Sequence, residues 1–246
     1  MCSSDLEGVP MTDFSYVDQN LAEIRARIVA ASERSGGRDV TLLAAVKYTD
    51  TDHINYLHSL GVNDIGENRV QQLLEHWEAL NRENLRVHFI GTLQKNKVKY
   101  IIDKVAMIHS LDSFSLAQEI EKQAAKKGIV MDVLVEINSG MEENKSGIAP
   151  TDAAAFCESL GEFSHINLCG FMTMAPKCEK IEEYRKYFYK TSQLCLDIWQ
   201  KTLHNIDRPI LSMGMSDSFE VAIEEGADIV RVGRALFAPP ENESKI

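Results

Sequence analysis

The sequence has few of the residues that cross-link secreted domains or bind metal ions. It contains five cysteines, an odd number, with no C-x-x-C pair and no histidine spacing typical of zinc sites. No apolar run approaches the length of a membrane span, and residues 1–30 lack the basic start and hydrophobic stretch of a signal peptide. We therefore expect a cytoplasmic protein in a reducing setting, with no metal site.

Positive charge is also scarce. Lysine and arginine total 26 against 37 aspartates and glutamates, which gives a formal net charge of -11. Such a balance disfavours binding to nucleic acid or to an anionic membrane, so an anionic ligand would need a local positive pocket. With 44% hydrophobic and 26% charged residues among 246, the chain is nevertheless typical of a soluble globular protein.

What the sequence does contain is a repeated alternation of helices and short buried strands. An amphipathic helix at residues 16–35 carries Val17, Leu21, Ile24, Ile28 and Ala31 at helical spacing. Eight strands are predicted, at residues 41–46, 62–65, 87–90, 107–110, 131–137, 166–172, 209–213 and 228–232. This α/β pattern favours a single closed (β/α)8 TIM barrel at residues 14–246, after a disordered leader at residues 1–13. The alternative is an open doubly wound sheet.

The residues that follow the strands are unusually polar, and one of them is a lysine. Active sites of such barrels lie at the carboxyl ends of the strands. Lys47 follows the first strand, where apolar neighbours would desolvate it and where it could form an imine with an aldehyde or ketone. The alternative is an ordinary solvated lysine.

A second feature suggests a phosphate site. The stretch from Ser212 to Asp217 leads from the seventh strand into a helix, and Gly233 follows the eighth strand, where barrels often bind phosphate. The alternative is a capped helix, with Ser216 or Asp217 as the N-cap and Glu220 completing a capping box.

A phosphate site and an imine-forming lysine on opposite sides of the barrel mouth would suit pyridoxal 5′-phosphate (PLP). Arg231 could then face the pyridine nitrogen, where a permanent cation would oppose ring protonation and weaken the electron sink. The alternative for Arg231 is an ion pair with Glu136. The seven histidines show no ligand spacing with carboxylates and are expected to be surface or packed residues. Cys195, on the apolar stripe of a helix that begins at Ile181, is expected in the core.

The motifs that carry these residues resemble one known family. The segments are Leu43-Ala44-Ala45-Val46-Lys47, Gly66-Glu67-Asn68-Arg69-Val70-Gln71, 88–97 (HFIGTLQKNK), Lys145-Ser146-Gly147, 170–176 (GFMTMAP) and Ser212-Met213-Gly214-Met215-Ser216-Asp217. In this order they resemble the pyridoxal phosphate homeostasis protein family, also called the YggS/PROSC family.

The resemblance implies a barrel like the N-terminal domain of alanine racemase, with PLP held as an imine on Lys47. It further implies that Arg231 faces the ring nitrogen and that Asn68 and Met172 line the cofactor. The phosphate would be held by Ser212, Ser216 and Gly233 with their neighbouring amides, including that of Met215. The chain departs from the family pattern where Tyr48-Thr49-Asp50 follows Lys47 and where Arg234 follows Gly233.

The implied function is PLP homeostasis without catalytic turnover, in a monomer whose partners are PLP and PLP-dependent apoenzymes. Only 13 residues follow Gly233, and no obvious second base for racemisation occurs among them. The alternatives are a small PLP-dependent amino-acid racemase and a cofactor-free aldolase that uses Lys47. Lys145, a second lysine, is a further candidate to draw phosphate or bind the aldehyde transiently.

Overall fold

Eight parallel strands close into one barrel. The computed structural model describes residues 14–47, 49–142, 145–202 and 208–239, so the predicted leader and Tyr48 lie outside the described residues. Each strand pairs with the next along the chain, and the last pairs with the first through Thr41↔Ile229 to Ala44↔Val232. The strands are β1 (Thr41–Ala45), β2 (Asp64–Glu67), β3 (Arg86–Phe89), β4 (Met107–Leu111), β5 (Met131–Ile137), β6 (Ile166–Thr173), β7 (Ile210–Ser212) and β8 (Ile229–Val232). This closure confirms the TIM barrel and excludes the open sheet.

Helices cover the outside of the barrel. They are α1 (Ser15–Arg34), α2 (Thr51–Ser59), α3 (Val70–Trp77), α4 (Val98–Ile101), α5 (Phe114–Lys127), α6 (Ala153–Leu160), α7 (Arg185–Thr202), α8 (Phe219–Glu224) and α9 (Arg234–Phe237), with 3-10 turns at Lys95–Lys97 and Ile181–Tyr184. Helix α1 buries the five apolar residues that the spacing predicts. Of the helices in the described ranges, none combines the length and apolar character needed to cross a membrane.

Two details of the predicted elements are wrong. Strand β2 covers Asp64–Glu67 instead of residues 62–65, and the apolar pattern placed it too early because it contains two buried polar residues, Asp64 and Glu67. Ile181 lies in a 3-10 turn with 56% of its surface exposed, so it does not belong to the buried stripe of α7. Cys195 is buried in that stripe, as predicted.

The interior of the barrel contains a polar layer and two small apolar clusters. Leu43, Ala45, Ile90 and Ile229 form one cluster, and Met107, Leu134 and Met172 form the other. The polar layer comprises Asp64, His88, His109, Ser212 and Arg231, all buried. Buried polar groups of this kind must find their hydrogen-bond partners within the protein.

The polar layer predicts a specific loss of stability in acid. Burial lowers the pKa of His109 well below its ordinary value, and the positive charge of Arg231 and any proton taken up by His88 lower it further. Below about pH 6.5 the unfolded chain therefore binds a proton that the folded chain does not, and the free energy of unfolding falls. We expect His109 to contribute a loss of about 1 kcal/mol between pH 7 and pH 5.5.

Denaturant unfolding of wild type and of His109→Gln at both pH values checks this expectation. The glutamine cannot titrate, so acidification should destabilise the variant less than the wild type. Buried carboxyls with raised pKa values, such as Glu67 and Glu136, act in the opposite direction but are present in both proteins. Equal losses in the two proteins would show that His109 takes up a proton as readily in the folded state as in the unfolded state, and would contradict the lowered pKa.

Candidate functional site

Two cavities open at the carboxyl ends of the strands, and Lys47 lines both of them. The first, here the arginine cavity, has a volume of about 550 Å³ and is lined by Ala45, Lys47, Thr49, Met215, Ser216, Asp217, Arg231, Gly233, Arg234, Phe237 and Ala238. The second, here the glutamate cavity, has a volume of about 400 Å³ and is lined by Lys47, Asn68, Arg69, Gln72, Ile90, Gly91, Thr92, Glu136, Ser146 and Met174. Both volumes are in the range of small-molecule sites.

Lys47 stands at the mouth, as predicted, but it is not buried there. The chain leaves β1 through Val46, which is fully buried, and then turns outward at Lys47. The side chain of Lys47 is exposed, so the prediction of a lysine desolvated by apolar neighbours is wrong for this structure. An exposed amine at the junction of two cavities is accessible to an incoming aldehyde.

Arg231 projects from β8 into the barrel and reaches the wall of the arginine cavity. Its Nη1 donates to the hydroxyl and the carbonyl oxygen of Ser212, each at 2.7 Å, and its Nη2 donates to the carbonyl of Thr173 at 2.9 Å. Burial lowers the pKa of Arg231 to about 10, against the opposing charge of Glu136, so the side chain remains a cation at neutral pH.

These contacts leave part of the Arg231 guanidinium free for a ligand. A guanidinium has five N–H groups, and the hydrogen bonds to Ser212 and Thr173 use three of them. The alternative ion pair with Glu136 does not form among the described residues, and Glu136 accepts a hydrogen bond from Ser146 at 2.9 Å. Arg231 can therefore direct a donor into the arginine cavity.

The predicted phosphate residues divide into two groups. Met215, Ser216 and Gly233 line the arginine cavity, whereas Ser212 lines neither mouth cavity. The Ser212 side chain is fully buried, where it contacts Arg231 and His109. Its hydroxyl therefore lies behind the cavity wall, which departs from its expected place at the phosphate.

The turn before α8 differs from the predicted capped helix. Helix α8 begins at Phe219, and its N-cap residue, Ser218, accepts a hydrogen bond from the amide of Met215 through its hydroxyl, at 3.2 Å. The capping box with Glu220 does not form, because Glu220 pairs with Arg27 at 2.8 Å. Ser216 is thereby left to line the cavity.

Gly233 brings two backbone segments close together beside the arginine cavity. A Cβ atom built on Gly233 would lie 2.6 Å from the carbonyl oxygen of Ala45, well inside van der Waals contact. A side chain here would push the end of β8 away from β1. The glycine thus allows the close approach that shapes this part of the cavity.

The arginine cavity is positive although the protein as a whole is acidic. Lys47, Arg231 and Arg234 line it together with one carboxylate, Asp217. Arg234 forms an ion pair with Asp217. The local positive pocket that an anionic ligand requires is therefore present, and Arg234, the departure from the family pattern, is part of it.

The glutamate cavity has a different chemistry. Asn68 lines it, and the Oδ1 atom of Asn68 is buried without a hydrogen-bond partner among the described residues. Burial raises the pKa of Glu136, as does the nearby charge of Asp112, although the hydrogen bond from Ser146 opposes the rise. Such unsatisfied and perturbed groups are typical of sites that receive a ligand.

Two further candidates lie outside both cavities. Met172 packs inside the barrel against Met107 and Leu134, below the mouth. Lys145 forms an ion pair with Glu142 and lines neither cavity. Among the described residues no group of three metal-ligating side chains has the geometry of a metal site.

Contacts between histidines and carboxylates were not predicted from the sequence. His53, His76, His88 and His165 lie within 2.9 Å of a carboxylate oxygen of Asp50, Glu67, Asp64 and Glu121, respectively. The pair of Asp64 and His88 spans 24 positions, which only the pairing of β2 with β3 brings together. The only sign of these contacts in the sequence is the residue type at every second strand position, because side chains two apart lie on the same face of a strand.

Comparison with known proteins places the whole barrel in one family. Residues 19–239 match the family of alanine racemase N-terminal domains. The pyridoxal phosphate homeostasis protein of Aquifex aeolicus is 44% identical over 221 residues, which are 89% of this chain and 96% of that protein.

Solved structures agree with this match. The structure of PipY from Synechococcus elongatus with PLP bound is 26% identical and superimposes with a TM-score of 0.79, covering 90% of this chain and 99% of that one. Alanine racemase of Clostridium difficile 630 shares the fold alone, at 18% identity and a TM-score of 0.72, and only 58% of its chain is covered. The chain belongs to the pyridoxal phosphate homeostasis protein family, whose barrel is that of the alanine racemase N-terminal domain.

Proposed function

We propose that this protein binds PLP covalently through Lys47 and holds it in the cell without catalytic turnover, as part of PLP homeostasis. The observation that carries the proposal is the position of Lys47, the one lysine that lines the described parts of both mouth cavities. The PLP-bound PipY structure and the similarity to the pyridoxal phosphate homeostasis protein of Aquifex aeolicus support it.

The residues of the arginine cavity fit the chemical groups of PLP. Lys47 supplies the amine for the aldehyde, while Ser216, Gly233 and Arg234 would hold the phosphate, with the backbone at Met215. Arg231 would direct a free N–H toward the ring nitrogen. When bound, PLP supplies a reactive aldehyde and an aromatic ring that can accept electrons.

Asn68 would line the cofactor from the glutamate cavity, where its buried Oδ1 lacks a partner. Met172 lies deeper, so we propose a supporting position for it beneath the ring. Ser212 would act on the cofactor indirectly, because its hydroxyl holds Arg231. Thus the proposed site keeps all eight predicted residues, but Ser212 and Met172 would support the site from below instead of lining its two cavities.

Arg231 argues for storage of the cofactor over catalysis. A cation that stays charged at neutral pH opposes protonation of the ring nitrogen, and an unprotonated ring withdraws electrons weakly. Racemisation also needs an acid and a base on opposite faces of the substrate carbon. No tyrosine, histidine or cysteine lines the described parts of the two cavities, which leaves two carboxylates, Asp217 and Glu136. Asp217 is paired with Arg234, so Glu136 is the partner that a racemase would have to use.

An assay of amino-acid racemisation tests the absence of turnover. The PLP-loaded protein, incubated with L-alanine or L-serine, is expected to form the D-enantiomer no faster than free PLP does. Turnover at about 1 s⁻¹ or faster, lost in both Lys47→Ala and Glu136→Gln, would contradict the proposal and establish the racemase alternative.

The proposal extends to the setting in which the protein acts. We propose a monomer that passes PLP to PLP-dependent apoenzymes, because a cofactor carrier needs no partner subunit to complete its site. The four cysteines among the described residues are free thiols, which fits a reducing cytoplasm.

A further inference from the structure

A continuous chain of side-chain hydrogen bonds crosses the barrel interior behind Arg231. Arg231 donates to the Ser212 hydroxyl at 2.7 Å, and this hydroxyl lies 3.1 Å from His109 Nδ1. His109 Nε2 lies 2.9 Å from His88 Nδ1, and His88 Nε2 lies 2.9 Å from a carboxylate oxygen of Asp64. The chain thus links the mouth on β8 to Asp64 at the start of β2.

Each member of this chain is at least nine-tenths buried. Arg231 and Asp64 carry the formal charges at its two ends, and the residues between them have almost no contact with solvent. Burial of a polar network is favourable only when every donor and acceptor in it is satisfied. The positions of the protons on these side chains are therefore determined by the hydrogen bonds among them.

The two ends of the chain fix its direction. Arg231 has only donors, so the Ser212 oxygen must accept from it. Burial alone would raise the pKa of Asp64, but hydrogen bonds from His88 and Arg86 bring it below its ordinary value, so Asp64 is a carboxylate. A carboxylate can only accept, and His88 must therefore donate from Nε2.

The histidines between these ends then take one consistent arrangement. The Ser212 oxygen accepts from Arg231, so its own hydroxyl proton is donated to Nδ1 of His109. His109 then carries its proton on Nε2 and donates it to Nδ1 of His88, which leaves Nε2 of His88 to donate to Asp64. Every donor faces an acceptor, and all hydrogen bonds run from Arg231 toward Asp64.

We propose that Asp64, His88, His109 and Ser212 are positioning residues that hold the Arg231 guanidinium in its orientation toward the cofactor. This inference rests on the proposed function, because the group that Arg231 faces is the ring nitrogen of PLP. Without these side-chain hydrogen bonds, Arg231 would keep only its contacts with the backbone carbonyls of Ser212 and Thr173. The guanidinium could then turn toward other acceptors at the mouth, such as the phosphate.

The tautomers of His88 and His109 provide a direct test that does not depend on activity. Long-range nitrogen–proton NMR of the full chain, at pH 7 and without PLP, should show both rings neutral with the proton on Nε2. A proton on Nδ1 of either ring, or a doubly protonated His88, would overturn the proposed arrangement.

Two substitutions of His109 test the positioning role. In His109→Gln the amide oxygen can accept from Ser212 while the amide nitrogen donates to His88, whereas His109→Leu removes both contacts. We expect the dissociation constant for PLP, measured by visible absorbance, to rise about tenfold in His109→Leu and less than about threefold in His109→Gln. His165, which pairs with Glu121 away from the mouth, provides the control: His165→Leu should bind PLP as the wild type does.

The outcomes separate this inference from the proposed function. If wild type binds PLP and both His109 variants bind it equally, the positioning role is wrong although the proposed function stands. If wild type does not bind PLP, the proposed function is wrong, and so is the positioning role toward the cofactor. The NMR measurement would still show whether the protons of His88 and His109 lie on Nε2, as the hydrogen-bond arrangement requires. Thermal unfolding of each variant identifies any loss of binding that comes from loss of the fold.

Discussion

Replacing Lys47 by alanine is expected to abolish the visible absorbance that the wild-type protein develops with PLP. The absorbance arises from the covalent bond between the lysine amine and the cofactor aldehyde, and alanine has no amine to form it. Lys47 is exposed and follows the end of β1, so the substitution should change the free energy of unfolding by less than about 0.5 kcal/mol. Loss of colour without loss of stability is the expected combination.

A matched control separates this effect from general lysine chemistry. Lys127 is a half-exposed lysine whose ammonium pairs with Asp103 on the outside of the barrel, at 2.7 Å. Lys127→Ala should therefore develop the same visible band as wild type at the same PLP concentration. A band that persists in Lys47→Ala and decreases in Lys127→Ala would place the covalent bond at a surface lysine and contradict the assignment of Lys47.

The second large effect is expected from Gly170→Ala, because this glycine sits where β6 and β7 approach most closely. Gly170 has a φ of +150°, and a Cβ there would lie 2.1 Å from the carbonyl oxygen of Ile210 and 2.5 Å from its amide nitrogen. The backbone of β7 cannot yield without displacing Ser212, two residues on. We expect the free energy of unfolding to fall by about 3 kcal/mol, from strain and overpacking together.

Denaturant unfolding of Gly170→Ala beside Gly161→Ala checks this prediction. Gly161 follows α6 with a helical φ of -63°, and a Cβ there would meet only the carbonyl of Glu158, at 3.2 Å. The control should stay within about 1 kcal/mol of wild type, since alanine is favoured over glycine in this conformation. Equal stability of the two variants would show that β6 and β7 can separate at little cost.

The fold could be predicted from the sequence because its signals are local. Buried strands between helices appear as short apolar runs, and the strand at residues 131–137 was predicted with the bounds that the structure has. Glycines that end helices, such as Gly128 with its left-handed φ of +64°, marked element boundaries directly. Barrel closure followed from the number of such units.

The site was predictable only where a residue follows a strand and faces the mouth. Lys47 and Gly233 meet this condition, Arg231 is the last residue but one of β8, and all three line the arginine cavity. Ser212 occupies the last position of β7 and points into the barrel, so the sequence could not distinguish a contact with phosphate from a contact with Arg231.

The interior hydrogen bonds were beyond prediction for a related reason. Asp64, His88 and His109 belong to three strands, and their contacts depend on the register of β2, β3 and β4 around a closed barrel. A shift of the pairing register by one residue would turn each side chain of the strand to the opposite face of the sheet. The boundary of β2 was wrong by two residues, which shows how uncertain that register is from sequence alone.

The most direct test of the account is to locate the lysine that carries PLP. The full-length protein, mixed with PLP, is reduced with borohydride, which converts the bond between lysine and aldehyde into a stable amine, and is then digested for peptide mass spectrometry. The account predicts the pyridoxyl phosphate mass on the peptide that contains Lys47, in proportion to the visible band lost on reduction. Modification of Lys145 or of surface lysines, with Lys47 unmodified, would contradict it.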